Sequence, residues 1–177
     1  MLSCFKPKKE KKKDISLVCL GLNGVGKTSI LRLLGGDQFE GDPPPTFGFN
    51  NQAFSFRGKA FTVIDCGGAV KYRALWEFYF DKVDGVVFVV DSQDQARIEE
   101  SGSELVKLLS NPELKHKPFL ILNHKKEESD GVTEEFLYKF FGLSDIIDRE
   151  FHVLSTSIKD PTKIYSGFAW ILNKTHI

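Results

Sequence analysis

Cysteine is scarce in this chain, with three in 177 residues. Cys4, Cys19 and Cys66 lie at unrelated spacings, which excludes a disulfide framework and a cysteine-based zinc pattern. That usage reads as a reducing compartment. Long apolar runs are missing: nothing approaches the ~18 residues of a membrane span, and residues 1–14 lack the apolar core of a secretory signal. The expected location is therefore cytoplasmic. Arginines are few and scattered (Arg32, Arg57, Arg73, Arg97, Arg149), which counts against a small kinase or ATPase with an arginine-bearing lid over its phosphates. Of the four histidines, His116, His152 and His176 have no second ligand or nucleophile nearby in the sequence, so no zinc site or hydrolase triad is supported. Net charge is absent too, since 24 basic residues meet 24 acidic ones. The distribution is uneven. Lys6, Lys8, Lys9, Lys11, Lys12 and Lys13 against Glu10 and Asp14 give residues 1–14 a charge of +4 and leave the remainder at −4. An acidic body argues against a nucleic-acid-binding face. The basic arm suits an anionic membrane surface or an acidic partner.

What is present is a regular alternation. Apolar runs of buried-strand type occupy residues 15–20, 85–90, 118–122 and 151–154. Residues 53–56 and 60–64 bracket Arg57-Gly58-Lys59 and read as a hairpin. Helical patterns cover residues 29–34, 70–81, 96–109, 133–141 and 162–174. Strands alternating with helices predict an α/β fold: a doubly wound, mostly parallel six-stranded sheet with one antiparallel hairpin edge. One domain over residues 15–177 follows a polar arm, residues 1–14, that is too hydrophilic to fold alone. In such a sheet a ligand sits beyond the carboxyl ends of the strands. The residues of interest should therefore follow each apolar run directly.

They do. Gly21-Leu22-Asn23-Gly24-Val25-Gly26-Lys27-Thr28 fits a phosphate loop, lying after a strand and opening into a helix. Its glycines let the backbone wrap around a β-phosphate and turn N–H groups inward, so residues Asn23, Gly24, Val25, Gly26 and Ser29 are candidate phosphate contacts. Lys27 would reach the β- and γ-phosphates, and the Thr28 hydroxyl would ligate Mg²⁺. Asp65 ends the run at Ile64 and is placed to hold Mg²⁺ through water. Gly68 would bring a backbone N–H to a γ-phosphate, and Thr46, in the loop between the two motifs, would complete the metal shell.

The spacing of this loop with Pro45-Thr46-Phe47-Gly48-Phe49, Asp65-Cys66-Gly67-Gly68 and Trp76-Glu77-Phe78-Tyr79-Phe80 resembles the Arf/Arl branch of the Ras-like small GTPases. The resemblance runs from about residue 15 to residue 172. It implies a GTP/GDP switch with Mg²⁺ in vesicle or ciliary trafficking, with Thr46 sensing the γ-phosphate and the hairpin sliding when GTP binds. It also implies effector, exchange-factor and activating proteins as partners of a monomer, and an effector-binding surface at Phe49, Tyr79 and the position of Ile64, where the family has an aromatic. Trp76, Phe78 and Phe80 read as core.

Three departures accompany the match. Ala69 stands where the family carries a water-orienting Gln. No catalytic side chain is then intact, so hydrolysis should be very slow or partner-dependent; some Arf-like subgroups, one of them associated with cilia, also lack this Gln. The base-specificity motif, Asn-Lys-x-Asp in the family, is altered, and two registers fit. One gives His124, Lys125 and Glu127, keeping the lysine stem along the base and a carboxylate for the guanine N1–H and N2–H₂ groups. The other starts at Asn123 and has no acid. The first is preferred, with guanine still favoured over adenine but more weakly held. Ser155 and Thr156 would present the backbone N–H to the guanine O6. Finally, Leu2 removes the usual myristoylation signal. Cys4, beside Lys6 to Lys13, is a candidate acylation site for peripheral contact with a membrane or cilium. A nucleotide-locked scaffold that binds but does not cycle is the alternative reading.

Overall fold

Strand β1 (Ile15–Leu20) lies at the centre of the molecule, flanked by β3 (Lys59–Cys66) and β4 (Gly85–Asp91). The computed structural model describes residues 14–37, 41, 43–125 and 131–175; the expectations resting on Cys4, Lys6 to Lys13 and Glu127 lie outside the described residues. The sheet has six strands in the order β2-β3-β1-β4-β5-β6, with β2 (Phe49–Phe56), β5 (Phe119–His124) and β6 (Phe151–Ser155) completing it. Every neighbouring pair is parallel except β2 with β3. The doubly wound sheet with one antiparallel edge is therefore the observed fold.

Alternation along the strands sorts the core into two layers. Val18 and Leu20 of β1, with Val86, Phe88 and Val90 of β4, pack against Leu105 and Leu108 of α3 (Ile98–Ser110) and Leu137 of α4 (Glu134–Phe140). Leu17 and Cys19, with Val87 and Val89, pack on the opposite face. Their partners are Ile30 and Leu31 of α1 (Lys27–Leu34) and Ile164, Phe168 and Ile171 of α5 (Thr162–Lys174). The chain moves to one side of β1 through α1 and to the other after β3. That reversal places a crevice at the carboxyl ends of β1 and β4, where doubly wound sheets bind ligands. Among the described residues, no helix is long and apolar enough to cross a membrane.

Two stretches differ from expectation. β2 starts at Phe49 rather than residue 53. Asn50, Asn51 and Gln52 have weak strand propensity, but pairing opposite Asp65, Ile64 and Val63 extends the ladder. Residues 70–81 are not one helix: a single α turn, α2 (Val70–Arg73), gives way to a 3₁₀ segment (Trp76–Lys82). The change of pitch sends Trp76 and Phe80 into the core but leaves Phe78 64% exposed, so Phe78 is not the core residue expected. Ile64 also departs from its expected place. It is 6% exposed and packs with Trp76 and Phe80, so Phe49 and Tyr79 form their surface without it. Cys19 and Cys66 are free and buried; burial first, and then Asp65, pushes the Cys66 thiol up to about 12.

Candidate functional site

The loop between β1 and α1 is ordered by its own lysine. Lys27, buried at 5% exposure, donates to the Gly21 carbonyl at 2.9 Å and the Leu22 carbonyl at 2.7 Å. Burial pushes its pKa down, with the neighbouring Cys19 and Asp65 opposing. Further carbonyls of the loop are held from outside. Arg97 donates to both the Asn23 carbonyl and its side-chain oxygen at 3.2 Å, while Asp94 grips the same guanidinium through Nε at 2.6 Å. Lys125 donates to the Gly24 carbonyl at 2.7 Å and pairs with Asp91 at 2.8 Å. A peptide's N–H points opposite to its neighbouring C=O. Holding carbonyls from outside therefore turns N–H groups toward the hollow of the loop, which suits an anion. Helix α1 adds to this, having no side-chain N-cap and no acid in its first turn to offset its positive end. Val25 and Ser29 are buried, which leaves Val25 only its backbone to offer a ligand.

Opposite the loop, oxygens from three separate segments meet. The Thr28 hydroxyl donates to Asp65 Oδ2 at 2.7 Å, lies 2.9 Å from the Thr46 hydroxyl, and Thr46 reaches the same carboxylate oxygen at 3.3 Å. Asp65 is fully buried, and its Oδ1 has no hydrogen-bond partner among the described residues. Burial raises its pKa; the Thr28 bond, the Lys27 charge and the Thr46 bond oppose the rise. A buried carboxylate with one unpaired oxygen beside two hydroxyls is a hard-oxygen donor set, the chemistry Mg²⁺ prefers. Among the described residues no group of three His, Cys, Asp or Glu could cage a metal ion. Mg²⁺ fits that thin donor set, because it commonly takes only one or two protein carboxylates and fills its shell with water and phosphate oxygens.

Gly68 closes this end of the crevice. A Cβ there would lie 2.3 Å from the Leu22 carbonyl carbon and 2.4 Å from the Asn23 nitrogen, so only glycine lets the segment after β3 rest on the phosphate loop. Ala69 follows in extended backbone conformation and presents only a methyl group.

The side expected to face a base is built differently. His124 ends β5 opposite Asp91 and is 2% exposed. Its Nδ1 lies 3.1 Å from the Thr156 hydroxyl, and a Cβ on Gly26, whose φ is +99°, would meet the imidazole at 2.5 Å. The imidazole thus fills the space beneath the phosphate loop. Lys125 turns back over the loop through a left-handed φ of 61°. Asn123 points elsewhere, donating to the Val132 carbonyl at 2.7 Å. Of these residues His124 and Lys125 meet the phosphate loop, and Asn123 does not.

The backbone N–H groups assigned to the guanine O6 are engaged in other bonds. Ser155 donates to Glu134 Oε1 at 2.6 Å, and Thr156 extends the ladder by donating to the Asn123 carbonyl at 2.9 Å. The expectation at Ser155 and Thr156 is corrected accordingly: these residues belong to the end of the sheet, and Thr156 contributes its hydroxyl to His124. Sequence reasoning gave no site role to Arg97, Asp91, Arg73 or Trp76. The positions of Asp91 and Arg97 just after the β4 run were the available signal.

Phe49 and Tyr79 form an edge-to-face pair with centroids 5.1 Å apart, and Phe47 meets Tyr72 at 6.5 Å. With Phe47 75%, Phe49 51%, Val70 73% and Phe78 64% exposed, an apolar surface flanks the Thr46 and Gly68 segments.

The description of the ADP-ribosylation factor family matches residues 1–175. Among solved structures, the chain is similar to the Arl6 BBS3 small GTPase from Trypanosoma brucei with bound nucleotide analogue GppNp. The identity is 30% and the TM-score 0.81, over 92% of this chain and 98% of that one. With nearly its whole length matched in sequence and in fold, this chain belongs to the ADP-ribosylation factor family of small GTPases.

Proposed function

We propose that this protein is a guanine-nucleotide-dependent switch whose own hydrolysis of GTP is very slow. The observation that carries the reading is the convergence of Lys27, Thr28, Thr46 and Asp65, drawn from separate segments, around one crevice. Lys27 and the inward N–H groups of Asn23 to Thr28 would hold the β- and γ-phosphates. Thr28 and Thr46 would hold Mg²⁺ directly and Asp65 would hold it through water; bound there, the ion neutralises phosphate charge. Lys125 would lie along the base and Glu127 would read it. The relative from Trypanosoma brucei carries a nucleotide analogue, which supports this assignment. Slow hydrolysis follows from Ala69, whose methyl group can neither orient nor deprotonate water. The exposed aromatic surface around Phe49, Phe78 and Tyr79 is where we place effector, exchange-factor or activating proteins. Membrane contact, at a vesicle or cilium, would use Cys4 and Lys6 to Lys13.

A second reading, a nucleotide-locked scaffold, is favoured by the same Ala69 together with the His124 replacement. Identification of the nucleotide that co-purifies, with its release rate, separates the two. Mostly GDP shows that turnover or loading occurs, and mostly GTP favours locking. Equilibrium titration with GTP, GDP and ATP tests the shared premise: equal binding of guanine and adenine nucleotides overturns both. Ala69→Gln should raise single-turnover GTP hydrolysis about tenfold or more; no gain would favour the scaffold.

A further inference from the structure

The peptide units of Gly67 and Gly68 are fixed by two side chains from the turn that follows them. Trp76, buried, donates its indole N–H to the Gly67 carbonyl at 3.0 Å. Arg73 donates Nε–H to the Gly68 carbonyl at 3.0 Å. Gly67 in turn donates its own N–H to the Gly48 carbonyl at 2.8 Å. In a trans peptide the C=O and the following N–H point in opposite directions. Holding the Gly67 carbonyl on the Trp76 side therefore aims the Gly68 N–H the other way, and holding the Gly68 carbonyl does the same for the Ala69 N–H. The close rest of Gly68 on Leu22 and Asn23 sets this segment against the phosphate loop.

Arg73 does not act alone. Its side chain is only 11% exposed, and the guanidinium is tied to two carboxylates of α3, to Glu100 at 2.7 Å and to Glu104 at 3.3 Å. Those glutamates are four residues apart and so share one helix face. Nε is spent on the glycine carbonyl and the two terminal nitrogens on the helix, so the planar fork sets the glycine peptide relative to α3. Lysine has one nitrogen and cannot do both. With only a methyl group at Ala69, the backbone of this segment is what remains to meet a γ-phosphate.

We infer that Arg73 is a positioning residue for γ-phosphate discrimination, linking the Gly68 peptide to Glu100 and Glu104 of α3, so that GTP is distinguished from GDP through a backbone orientation set by α3. The inference rests on the guanine-nucleotide reading above. It makes α3 the element that moves when that peptide turns, because an ion pair held by a rigid fork transmits displacement in both directions.

The test is the ratio of affinities for a non-hydrolysable GTP analogue and for GDP, measured with Mg²⁺ on the full chain. Arg73→Lys should lower the affinity for the analogue at least about tenfold more than that for GDP, the loss expected for a charge-assisted bond that matters in one liganded state. The pair Glu100→Gln with Glu104→Gln, on the partly exposed face of α3, should shift the ratio in the same direction by about threefold. It also keeps the test intact should the Arg73 variant fail to fold. An unchanged ratio in both variants, or an equal loss of both nucleotides, overturns the inference and leaves Arg73 as a structural ion pair. Failure of the wild-type chain to bind any guanine nucleotide is a different result: it overturns the proposed function, and this inference with it.

Discussion

The two ends of the proposed nucleotide crevice, one for phosphate and one for the base, are built by different means. At the phosphate end, the backbone proposed to meet the ligand has its direction set by Lys27, Arg97 and the bare Cα of Gly68. At the proposed base end two side chains, His124 and Lys125, reach across to the loop. Backbone contacts of this kind constrain conformation more than residue identity, provided the glycines stay. Side-chain contacts can be exchanged singly. The departures in this chain accordingly fall on side-chain positions, Ala69 and His124, while the phosphate-loop glycines are all in place.

That contrast can be broken most directly at Lys27. Lys27→Met should lower guanine-nucleotide affinity at least about 100-fold, since two or more charge-assisted bonds are lost and the Gly21 and Leu22 carbonyls are left buried. Titration should show the preference for guanine over adenine unaltered, because the base end is untouched. A loss below about tenfold would remove the phosphate end from its leading role.

Gly26→Ala strikes where the two ends touch. The new methyl would meet the His124 ring in a left-handed backbone conformation, costing about 2–3 kcal/mol, or roughly 5–10 °C in melting temperature. Adding His124→Ala should restore part of it. No recovery in the double variant would show that the backbone, and not the imidazole, sets the cost.

His124→Asn sharpens the base end alone. It should slow guanine-nucleotide release about threefold in stopped-flow while lowering the melting temperature of the nucleotide-free protein by a few degrees, as the bond to Thr156 is lost, about 1 kcal/mol. Faster release would mean that the imidazole already serves better than the amide.

The smallest effect concerns stability without ligand. The carboxyl of Asp65 is held above its ordinary range, so the folded chain binds that proton more tightly than the unfolded chain. Stability from this group is full below the ordinary carboxylate pKa and is lost as pH rises through the raised value. Asp65→Asn should flatten that slope and raise the melting temperature at neutral pH by roughly 2–4 °C, while Mg²⁺ ceases to add stability in the presence of nucleotide. A fall in melting temperature would show that the attraction to Lys27 outweighs the burial of the charge.

Much of the fold was legible because the strands of its centre are continuous apolar runs, and the phosphate loop because its glycines and lysine are local in sequence. The hairpin edge was legible only in part, since Asn50 to Gln52 become strand through pairing with β3 and not through their own propensity. Phe78 departs from expectation because a 3₁₀ segment, which has no distinct apolar period here, decides which aromatic faces inward, and Ile64 because Trp76 and Phe80 of that segment cover its place on β3. The assignment of Ser155 and Thr156 failed for a related reason: their N–H groups bond to Glu134 and Asn123, partners set by the sheet and far away in the chain. Arg73 and its glutamates were invisible as a unit for the same cause.

The bond from Trp76 to Gly67 also has an optical consequence. The chain has two tryptophans, and they report on different places. Trp170 lies on α5 beside His152, with ring centroids 5.3 Å apart, whereas the indole of Trp76 is bonded to the carbonyl next to Gly68. Indole emission is sensitive to that bond and to burial. In a Trp170→Phe background, any turn of the Gly67 peptide would change the colour and intensity of a single emitter, with no label attached.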